Sequence, residues 1–352
     1  MGLAAPDTTF HLVIKPNHPS KAVETIGMTY LVTGGAGFIG SHLAERLMAG
    51  GHRVLVLDDL STGRFENIAH LEGTPGFELR VASVTDPAIV ERCVIEADAV
   101  FHLASAVGVR LVVDQPVKTI ETIVGGTDNV LRSCSRYRRP VLLTSTSEVY
   151  GKSEKIPFAE GDDCVIGPTT TRRWAYACAK ALDEFLAMAH WYESRLPVVI
   201  ARLFNTVGPR QTGRYGMVIP RFIEQGLAGE PITVYGDGRQ SRCFAHVADV
   251  VGALVALMET PATRGDVFNL GNSEEVTILQ LAEKIRALTG SRSPIRMVPY
   301  GQAYTAGFED MVRRVPDLSK ARRAIGYRPT RDLDRILADV LADQEARAGR
   351  PG

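Results

Sequence analysis

The stretch "MTYLVTGGAGFIGSHLAERLMAGGHRVLVLDD", residues 28–59, decides the fold. An apolar run ending at Thr33 predicts a buried strand, an amphipathic segment closed by glycine predicts a helix, and "HRVLVLDD" predicts a second strand. Between strand and helix the glycines can be parsed as Gly35-x-Gly37-x-x-Gly40 or as Gly34-x-x-Gly37-x-x-Gly40. Such glycines let a strand turn tightly into a helix and let backbone approach a pyrophosphate.

Asp58 ends the second strand, eighteen positions past Gly40. An acid there accepts hydrogen bonds from ribose hydroxyls and repels a 2′-phosphate, so the pattern favours NAD over NADP. Three alternatives stay open: Asp59 competes for the ribose, Arg64 is close enough to accommodate a phosphate, and a glycine run by itself also fits an ordinary tight turn.

Further apolar runs extend the same rhythm along the chain. Strands are predicted at "FELRVAS", "DAVFHLAS", "RPVLLTSTS" and "LPVVIARLFN", with helical stretches between them. This alternation predicts an α/β fold, a Rossmann-type doubly wound parallel sheet with a smaller C-terminal substrate-binding lobe. We expect an NAD-binding domain at 28–205, with 245–272 returning to it, and a nucleotide-sugar-binding lobe at 206–244 and 273–345. Residues 1–27 are read as an N-terminal extension, native or left from cloning.

Composition narrows the possible partners. Forty basic residues balance forty acidic ones, so no global field attracts nucleic acid or an anionic membrane. The apolar patch "FHLVI" near the N-terminus is too short to span a membrane. The cysteines are scattered, without a C-x-x-C pair or a nearby histidine cluster, which argues against a metal site and a disulfide framework and favours a reducing cytoplasm. They are Cys93, Cys134, Cys164, Cys178 and Cys243.

A candidate base lies in "RRWAYACAK". Tyr176 and Lys180 are four residues apart and share one face if the segment is helical. A phenol has a reference pKa of about 10, and a neighbouring ammonium favours its ionised form, which can then remove a proton from an alcohol. The spacing alone is more often a surface pair.

Three sequence motifs, taken in their order along the chain, resemble those of a known family. The glycine fingerprint, the hydroxyl-rich "TSTSE" at 144–148 and the Tyr176-x-x-x-Lys180 spacing together resemble the extended short-chain dehydrogenases/reductases, from Met28 to about Leu341. The resemblance implies a nucleotide-activated sugar as substrate. It also implies that Thr146 bonds the sugar 4-hydroxyl, that Tyr176 takes its proton, and that NAD is the cofactor.

The resemblance also implies a set of site residues. The implied cofactor contacts are Gly34, Gly37, Phe38, Ile39, Gly40, Asp58, Val84, Leu103, Thr144, Tyr176 and Lys180. The implied catalytic residues are Thr146, Ser147, Glu148, Tyr176, Lys180 and Arg242. The implied substrate contacts are Arg173, Asn205, Arg214, Val218, Tyr235 and Arg242. Two positions depart from the family pattern: Ser83 replaces the usual Asp at the adenine, where the backbone of Val84 substitutes, and Ile123 replaces a common Asn.

The residues after Thr146 distinguish three reactions within this group. Sugar 4,6-dehydratases carry T-D-E there and 4-epimerases carry small or hydroxyl residues, whereas Thr146-Ser147-Glu148 resembles the UDP-glucuronic acid decarboxylases. Arg173, three before the tyrosine, and the R-x-P-D segment in "VRRVPDLSK" agree. The resemblance therefore implies NAD-dependent decarboxylation of UDP-glucuronic acid through a 4-keto-hexuronic acid, giving the UDP-4-keto-pentose, UDP-xylose, or both.

Several alternatives remain open. The chain can instead be a UDP-glucuronate or UDP-glucose 4-epimerase, or a non-catalytic NAD-binding regulatory protein. Glu148 can act on the substrate carboxylate, handle a proton or water at C5, or only pair with Arg173 at the strand end. Relatives imply a homodimer formed by helices around "VKTIETIVGGTDNVLRSC" and "WAYACAKALDEFLAMAHWYES", although both apolar faces can also simply pack on the sheet.

Overall fold

A seven-stranded parallel sheet forms the centre of the molecule. The computed structural model describes residues 27–105, 115–213, 217–299, 301, 311 and 313–348. The central strands run in the order β11-β6-β5-β4-β1-β2-β3, and every pairing between them is parallel. The strands are β1 Thr29–Thr33, β2 Arg53–Asp58, β3 Phe77–Val81, β4 Ala99–His102, β5 Val141–Thr146, β6 Val198–Leu203, β7 Thr206–Val207, β8 Ile232–Tyr235, β9 Ser241–Cys243, β10 Ala245–His246, β11 Asp266–Leu270, β12 Glu275–Thr277 and β13 Ile295–Val298.

Helices cover both faces of this sheet. The helices are α1 Phe38–Ala49, α2 Pro87–Glu96, α3 Pro116–Ile120, α4 Gly126–Tyr137, α5 Trp174–Ser194, α6 Val218–Leu227, α7 Val247–Glu259, α8 Ile278–Leu288, α9 Ser319–Ile325 and α10 Leu333–Ala348, with π-helical Glu121–Gly125 between α3 and α4. Helices α1, α7 and α9 lie on one face, and α2, α4 and α5 lie on the other. The predicted α/β doubly wound fold is confirmed.

The buried strands explain why the sheet is covered on both sides. All four residues of β4 and all six of β5 are buried, so their alternate side chains pack into two different hydrophobic cores. Because the seven strands are parallel, their carboxyl ends lie at one edge. Strands β4 and β2 flank β1, which makes the end of β1 the topological switch point where such folds bind ligands.

The smaller lobe has a core of its own. Helices α6, α8 and α10 pack with β8 and β13 around buried residues that include Phe222, Leu281 and Ile336. The range 273–345, assigned to this lobe from sequence, is divided in the structure. Leu318 and Tyr327 are buried with the core of the central sheet.

The glycines of the first turn pack against backbone. Gly34 has a positive φ of 71°, a conformation that L side chains rarely adopt. A Cβ at Gly40 would lie 2.1 Å from the Gly34 carbonyl oxygen. The start of α1 can therefore approach the end of β1 only when residue 40 has no side chain.

No helix within the described ranges combines the length and apolar content needed to cross a membrane.

Replacing Gly40 with alanine should test this close approach. We expect Gly40→Ala to lower the free energy of unfolding by about 2 kcal/mol or more, because the added methyl group meets backbone that cannot rotate away. Gly161→Ala is the matched control, since a Cβ there has no heavy atom within 4 Å. Urea denaturation of the three proteins measures both effects. Equal stability of the two variants would contradict the packing described.

Candidate active site

One large cavity lies between the carboxyl edge of the sheet and the lobe. Its volume is about 750 Å³, within the range of small-molecule sites. With one exception, the residues predicted from sequence as site residues all line it. The exception is Arg214, which lies outside the described residues. The fold therefore gathers residues that are far apart in sequence, from Gly34 to Arg242, into one space.

The cofactor end of the cavity fits a pyrophosphate. Helix α1 begins at Phe38, and its N-cap Gly37 supplies no side-chain hydrogen bond to the first turn. The N–H groups of that turn consequently lack a side-chain cap, and the helix dipole favours an anion there. Gly34, Gly37 and Gly40 line the cavity beside them. This is the geometry that binds phosphates at the start of a helix.

Asp58 lies at the end of β2, in the same part of the cavity. Its two carboxylate oxygens accept hydrogen bonds from the backbone N–H of Ala36 and of Leu60, each at 2.9 Å. A carboxylate has about four lone-pair sites, so it can also accept from two ribose hydroxyls. Burial raises the pKa of Asp58. Asp58 therefore orders the glycine turn and also lines the cavity.

Val84 and Leu103 line the cavity farther along. The backbone carbonyl of Val84 accepts a 3.0 Å hydrogen bond from the amide of Asn129 on α4. Ser83 instead hydrogen-bonds Thr85, with 2.9 Å between the hydroxyl oxygens. This part of the cavity wall is thus shaped by backbone and by Asn129, a residue that the sequence interpretation did not single out.

A buried ion pair fixes the catalytic strand end. Arg202 on β6 donates to Glu184 on α5 at 2.7 Å, and Ser145 donates to the same carboxylate at 2.5 Å. Ser145 therefore turns towards α5, and strand alternation turns its neighbours Thr144 and Thr146 the other way. The hydroxyl of Thr144 is bonded to the carbonyl of His102 at 3.1 Å.

The Thr146 hydroxyl is directed by the turn that follows it. Its oxygen accepts a 3.3 Å hydrogen bond from the backbone N–H of Glu148, in the one-turn 3₁₀ helix Ser147–Tyr150. Its hydroxyl proton can therefore be directed to another acceptor. Tyr176 is hydrogen-bonded to Thr146, and both line the cavity. The two hydroxyls can therefore meet one substrate oxygen.

Tyr176 is half-buried at the start of α5. Burial raises its pKa above the ordinary value, the negative charge of Glu148 raises it further, and the hydrogen bond with Thr146 lowers it. At neutral pH the phenol is therefore protonated in this state of the protein. The expectation from sequence, that nearby Lys180 favours the phenolate, is offset here by these opposing groups.

Lys180 is itself paired. Its ammonium group donates a 2.9 Å hydrogen bond to Asp183, and the two side chains are 3% and 0% exposed. Asp183 was not among the residues predicted from sequence. Lys180 nevertheless lines the cavity on the same helical face as Tyr176.

Glu148 is held between two guanidinium groups. Arg173 donates to its two carboxylate oxygens at 2.7 and 3.1 Å, and Arg314 donates at 3.3 Å. The side chain of Glu148 is 13% exposed, and those of Arg173 and Arg314 are 4% and 10% exposed. The pairing of Glu148 with Arg173, one of the alternatives above, is present, and Arg314 extends it to a cluster of three charges.

This cluster fixes the charge of Glu148. Burial alone would raise its pKa, but the positive charges of Arg173 and Arg314 outweigh that effect and lower the pKa of Glu148 to about 2. At neutral pH the group is an ionised carboxylate, which accepts hydrogen bonds and donates none.

The substrate end is built by β8, β9 and the turn after β6. Asn205 has a φ of 33° and donates to the Cys243 carbonyl at 3.0 Å, while Arg242 donates to the Ser241 carbonyl at 2.7 Å. Tyr235 at the end of β8 and Val218 at the start of α6 complete this wall.

Sequence reasoning missed several charged groups. Arg314 is the arginine of the R-x-P-D segment, and that segment gave no indication of its contact with Glu148, 166 positions earlier in the chain. Arg221 stacks over the Tyr235 ring at 4.1 Å, and no motif pointed to it. Among the described residues that line the cavity, eight are Lys or Arg and three are Asp or Glu. A protein of zero formal net charge thus has a locally positive site, which suits an anionic ligand.

Within the described ranges, the side chains indicate neither a metal site nor a disulfide bond. No group of three or more His, Cys, Asp or Glu side chains suited to a metal ion occurs among the described residues. All five cysteines are free thiols; three are buried, whereas Cys164 and Cys178 are exposed.

Comparison with known proteins identifies a family. A model of the NAD dependent epimerase/dehydratase family matches residues 30–271. The chain is 40% identical over 312 residues to the UDP-N-acetyl-alpha-D-glucosaminuronate decarboxylase of Bacillus cytotoxicus, covering 88% of this chain and 96% of that protein. It is 41% identical over 314 residues to UDP-glucuronic acid decarboxylase 1 of Danio rerio, covering 88% and 71%.

A solved structure is similar along nearly the whole chain. The UDP-glucuronic acid 4-epimerase of Bacillus cereus, in complex with UDP-glucuronic acid and NAD, superposes with a TM-score of 0.81 at 27% identity, covering 91% of this chain and all of that one. The fold is therefore shared with an epimerase, while the higher sequence identities are to decarboxylases.

The charge cluster at Glu148 predicts an acid-dependent loss of stability. The folded-state pKa of about 2 lies below the unfolded value of about 4.3, so this contribution is present above pH ~4.3 and is lost as pH falls towards 2. At pH 7, Glu148→Gln should be less stable than the parent by roughly 3 kcal/mol, and the gap should narrow below pH ~4. Urea denaturation from pH 7 to pH 3 measures it, with exposed Glu72→Gln as control. A gap that stays constant to pH 3 would refute the assignment.

Proposed function

For this chain, which belongs to the NAD dependent epimerase/dehydratase family, we propose the NAD-dependent decarboxylation of UDP-glucuronic acid. The observation that carries the proposal is the cluster of Glu148, Arg173 and Arg314, which lies in one cavity with Thr146 and Tyr176. A sugar oxidised at C4 needs only the two hydroxyls. The additional charges beside them are what a reaction at a uronate carboxylate requires.

The residues at the cofactor end fit NAD. The uncapped first turn of α1 and the glycines before it would hold the pyrophosphate, and Asp58 would hold the adenosine ribose. Bound NAD supplies the acceptor, and later the donor, of a hydride at C4 of the sugar.

Removal of the 4-hydroxyl proton is the task of Tyr176. Thr146 can turn its hydroxyl proton from Tyr176 to the same sugar oxygen, because its own oxygen already accepts from the Glu148 backbone. Two donors at one oxygen stabilise negative charge on it. Tyr176 takes this proton in its ionised form, which the Lys180 ammonium and the positive nicotinamide ring of bound NAD would favour. Since the pKa of Tyr176 is raised, the phenol then holds the proton and remains a donor while the 4-oxygen carries charge.

Loss of CO2 follows from the position of the ketone. Once C4 is a carbonyl, the C5 carboxylate belongs to a β-keto acid. The electrons of the C5–carboxyl bond then move onto the 4-oxygen and leave an enolate hydrogen-bonded to Thr146 and Tyr176. A proton from water returns to C5. Reduction at C4 gives UDP-xylose, and release before reduction gives the 4-keto-pentose.

Glu148 balances the charge near the carboxylate that leaves. Arg173 and Arg314 attract a uronate, but the ionised Glu148 between them offsets much of their charge. The substrate carboxylate is therefore held less tightly than it would be by two unopposed guanidinium groups. Binding that is weaker in the ground state favours departure of neutral CO2.

Mass-resolved turnover should test the reaction. Purified protein with NAD and UDP-glucuronic acid should release CO2 and form a product lighter by one carboxyl group, and Tyr176→Phe should lower the rate by about 100-fold or more. A product of unchanged mass would identify a 4-epimerase instead, and no product with any uronate would favour a binding protein. UDP-N-acetylglucosaminuronic acid, the substrate class in the name of one relative, serves as the competing substrate.

We also propose that the chain forms a homodimer through α3 and α5. Helix α5 exposes Leu182, Phe185 and Tyr192 at 49%, 73% and 66%, and α3 exposes Val117 and Ile120 at 67% and 42%. The α5 residues are three and seven positions apart and share one face, and the two helices are in contact. A second copy meeting this face would remove it from water in a four-helix interface.

A charge placed in this face should dissociate the dimer. Phe185→Glu is expected to give a monomer by light scattering, because a carboxylate would be buried against apolar side chains of the second copy. Leu288→Glu, at a 41% exposed leucine of α8, is the matched control and should keep the parent mass. A monomeric parent protein would contradict the proposal.

A further inference from the structure

A buried carboxylate lies behind the residues proposed for proton transfer. On α5, Tyr176, Lys180 and Asp183 occupy positions i, i+4 and i+7, so all three project from one face of the helix. Asp183 is completely buried and accepts the 2.9 Å hydrogen bond from the Lys180 ammonium. Neither the proposed reaction nor the Tyr-x-x-x-Lys spacing requires an acid at this position.

A buried row of polar side chains lies behind Asp183. Burial raises the pKa of Asp183, whereas Lys180 and, more weakly, the Thr127 hydroxyl on α4 lower it. Thr127 is 3.1 Å from one ring nitrogen of His102 on β4, and Thr33 at the end of β1 is 2.7 Å from the other. Burial and the charge of Lys180 lower the pKa of His102 to about 3, so this histidine is neutral. These polar groups behind Asp183 therefore add no positive charge to its surroundings.

The other carboxylates that face this region are each paired with an arginine. Glu148 faces Tyr176 from the turn after β5, but two arginines hold it. Glu184, next to Asp183 on α5, is paired with Arg202 of β6. The charge of Asp183 can therefore be removed by mutation while Glu148 and Glu184 keep their arginine partners.

We propose that Asp183 tunes Tyr176 by cancelling the charge of Lys180, so that this protein keeps the tyrosine protonated to higher pH than a lone lysine beside it would allow. The inference rests on the proposed role of Tyr176 as the base. An ammonium stabilises a neighbouring phenolate, and a carboxylate 2.9 Å from that ammonium removes most of the effect. Asp183 is accordingly one of the groups that raise the pKa of Tyr176, after burial and Glu148.

The chemical consequence concerns the second half of the reaction. An enolate at the 4-oxygen needs a hydrogen-bond donor, and a tyrosine that gives up its proton too readily is a poorer one. With Asp183 in place, Tyr176 holds its proton through decarboxylation. It then loses that proton to the 4-oxygen when C4 is reduced. Asp183 is a positioning residue, since it acts through Lys180 and does not line the cavity.

The substitution Asp183→Asn removes the negative charge but keeps a side chain of nearly the same shape. Asparagine still accepts a hydrogen bond from Lys180 but carries no charge. We expect the acidic limb of the kcat/KM pH profile to move down by about one pH unit relative to the parent, since a negative charge near a phenol has been removed. Asp128→Asn, at an acid of α4 paired with surface residue Arg132, is the control and should leave the profile in place.

A second readout is independent of turnover. The tyrosinate ultraviolet absorption of each protein, minus that of its Tyr176→Phe counterpart, reports ionisation of Tyr176 alone and should shift in the same direction. A shift in a protein that does not decarboxylate would overturn the proposed function and keep the tuning role. If Asp183→Asn lowers kcat equally at all pH values and shifts neither curve, Asp183 is merely structural and the inference is wrong.

Thr127→Val provides the test if Asp183→Asn does not fold. The Thr127 hydroxyl lowers the pKa of Asp183, so removing it disfavours the ionised carboxylate. The kcat/KM pH profile and the tyrosinate titration should then both shift in the same direction as for Asp183→Asn, by a smaller amount. Unchanged curves would overturn the proposal.

Discussion

The site depends on the buried ion pair of Glu184 and Arg202. It joins α5 to β6 directly behind β5, and Ser145 adds a third contact to the same carboxylate. Breaking such a pair typically costs about 3–5 kcal/mol, because the remaining charge is left without a partner in the interior. With the helix fixed in this way, Tyr176 at its start meets Thr146 at the strand end, and neither group depends on a flexible loop for its position.

Sequence predicted the parts of the molecule that are determined locally. Strand and helix periods, the glycines around Gly37 and the spacing of Tyr176 and Lys180 are each set within a few residues, and the structure has all of them. The partners of Glu148 and Lys180 were harder to predict from sequence. Arg314 approaches Glu148 from 166 positions away, and nothing in the residues around either one indicates that contact. Asp183 is only three residues after Lys180, but its burial depends on β4 and α4, which are distant in sequence.

The distribution of charge explains how a neutral protein can bind a multiply charged ligand. Basic residues are concentrated along one cavity, while each carboxylate there, such as Asp58 or Glu148, already has fixed hydrogen-bond donors. A buried acid that is fully bonded does not need to recruit a cation from the ligand. The cavity can therefore keep an excess of positive charge although acids are among the described residues that line it.

The long-range contact between Glu148 and Arg314 has a consequence for synthesis of the chain. The ribosome completes the glycine turn and the Thr146 strand end well before it reaches residue 314. Among the described residues, Arg314 is the last in sequence to line the cavity, so a chain that ends before it keeps Arg173 as a partner of Glu148 but lacks the second guanidinium group. A truncation of the C-terminal part therefore changes the charge of the site as well as the packing of the lobe.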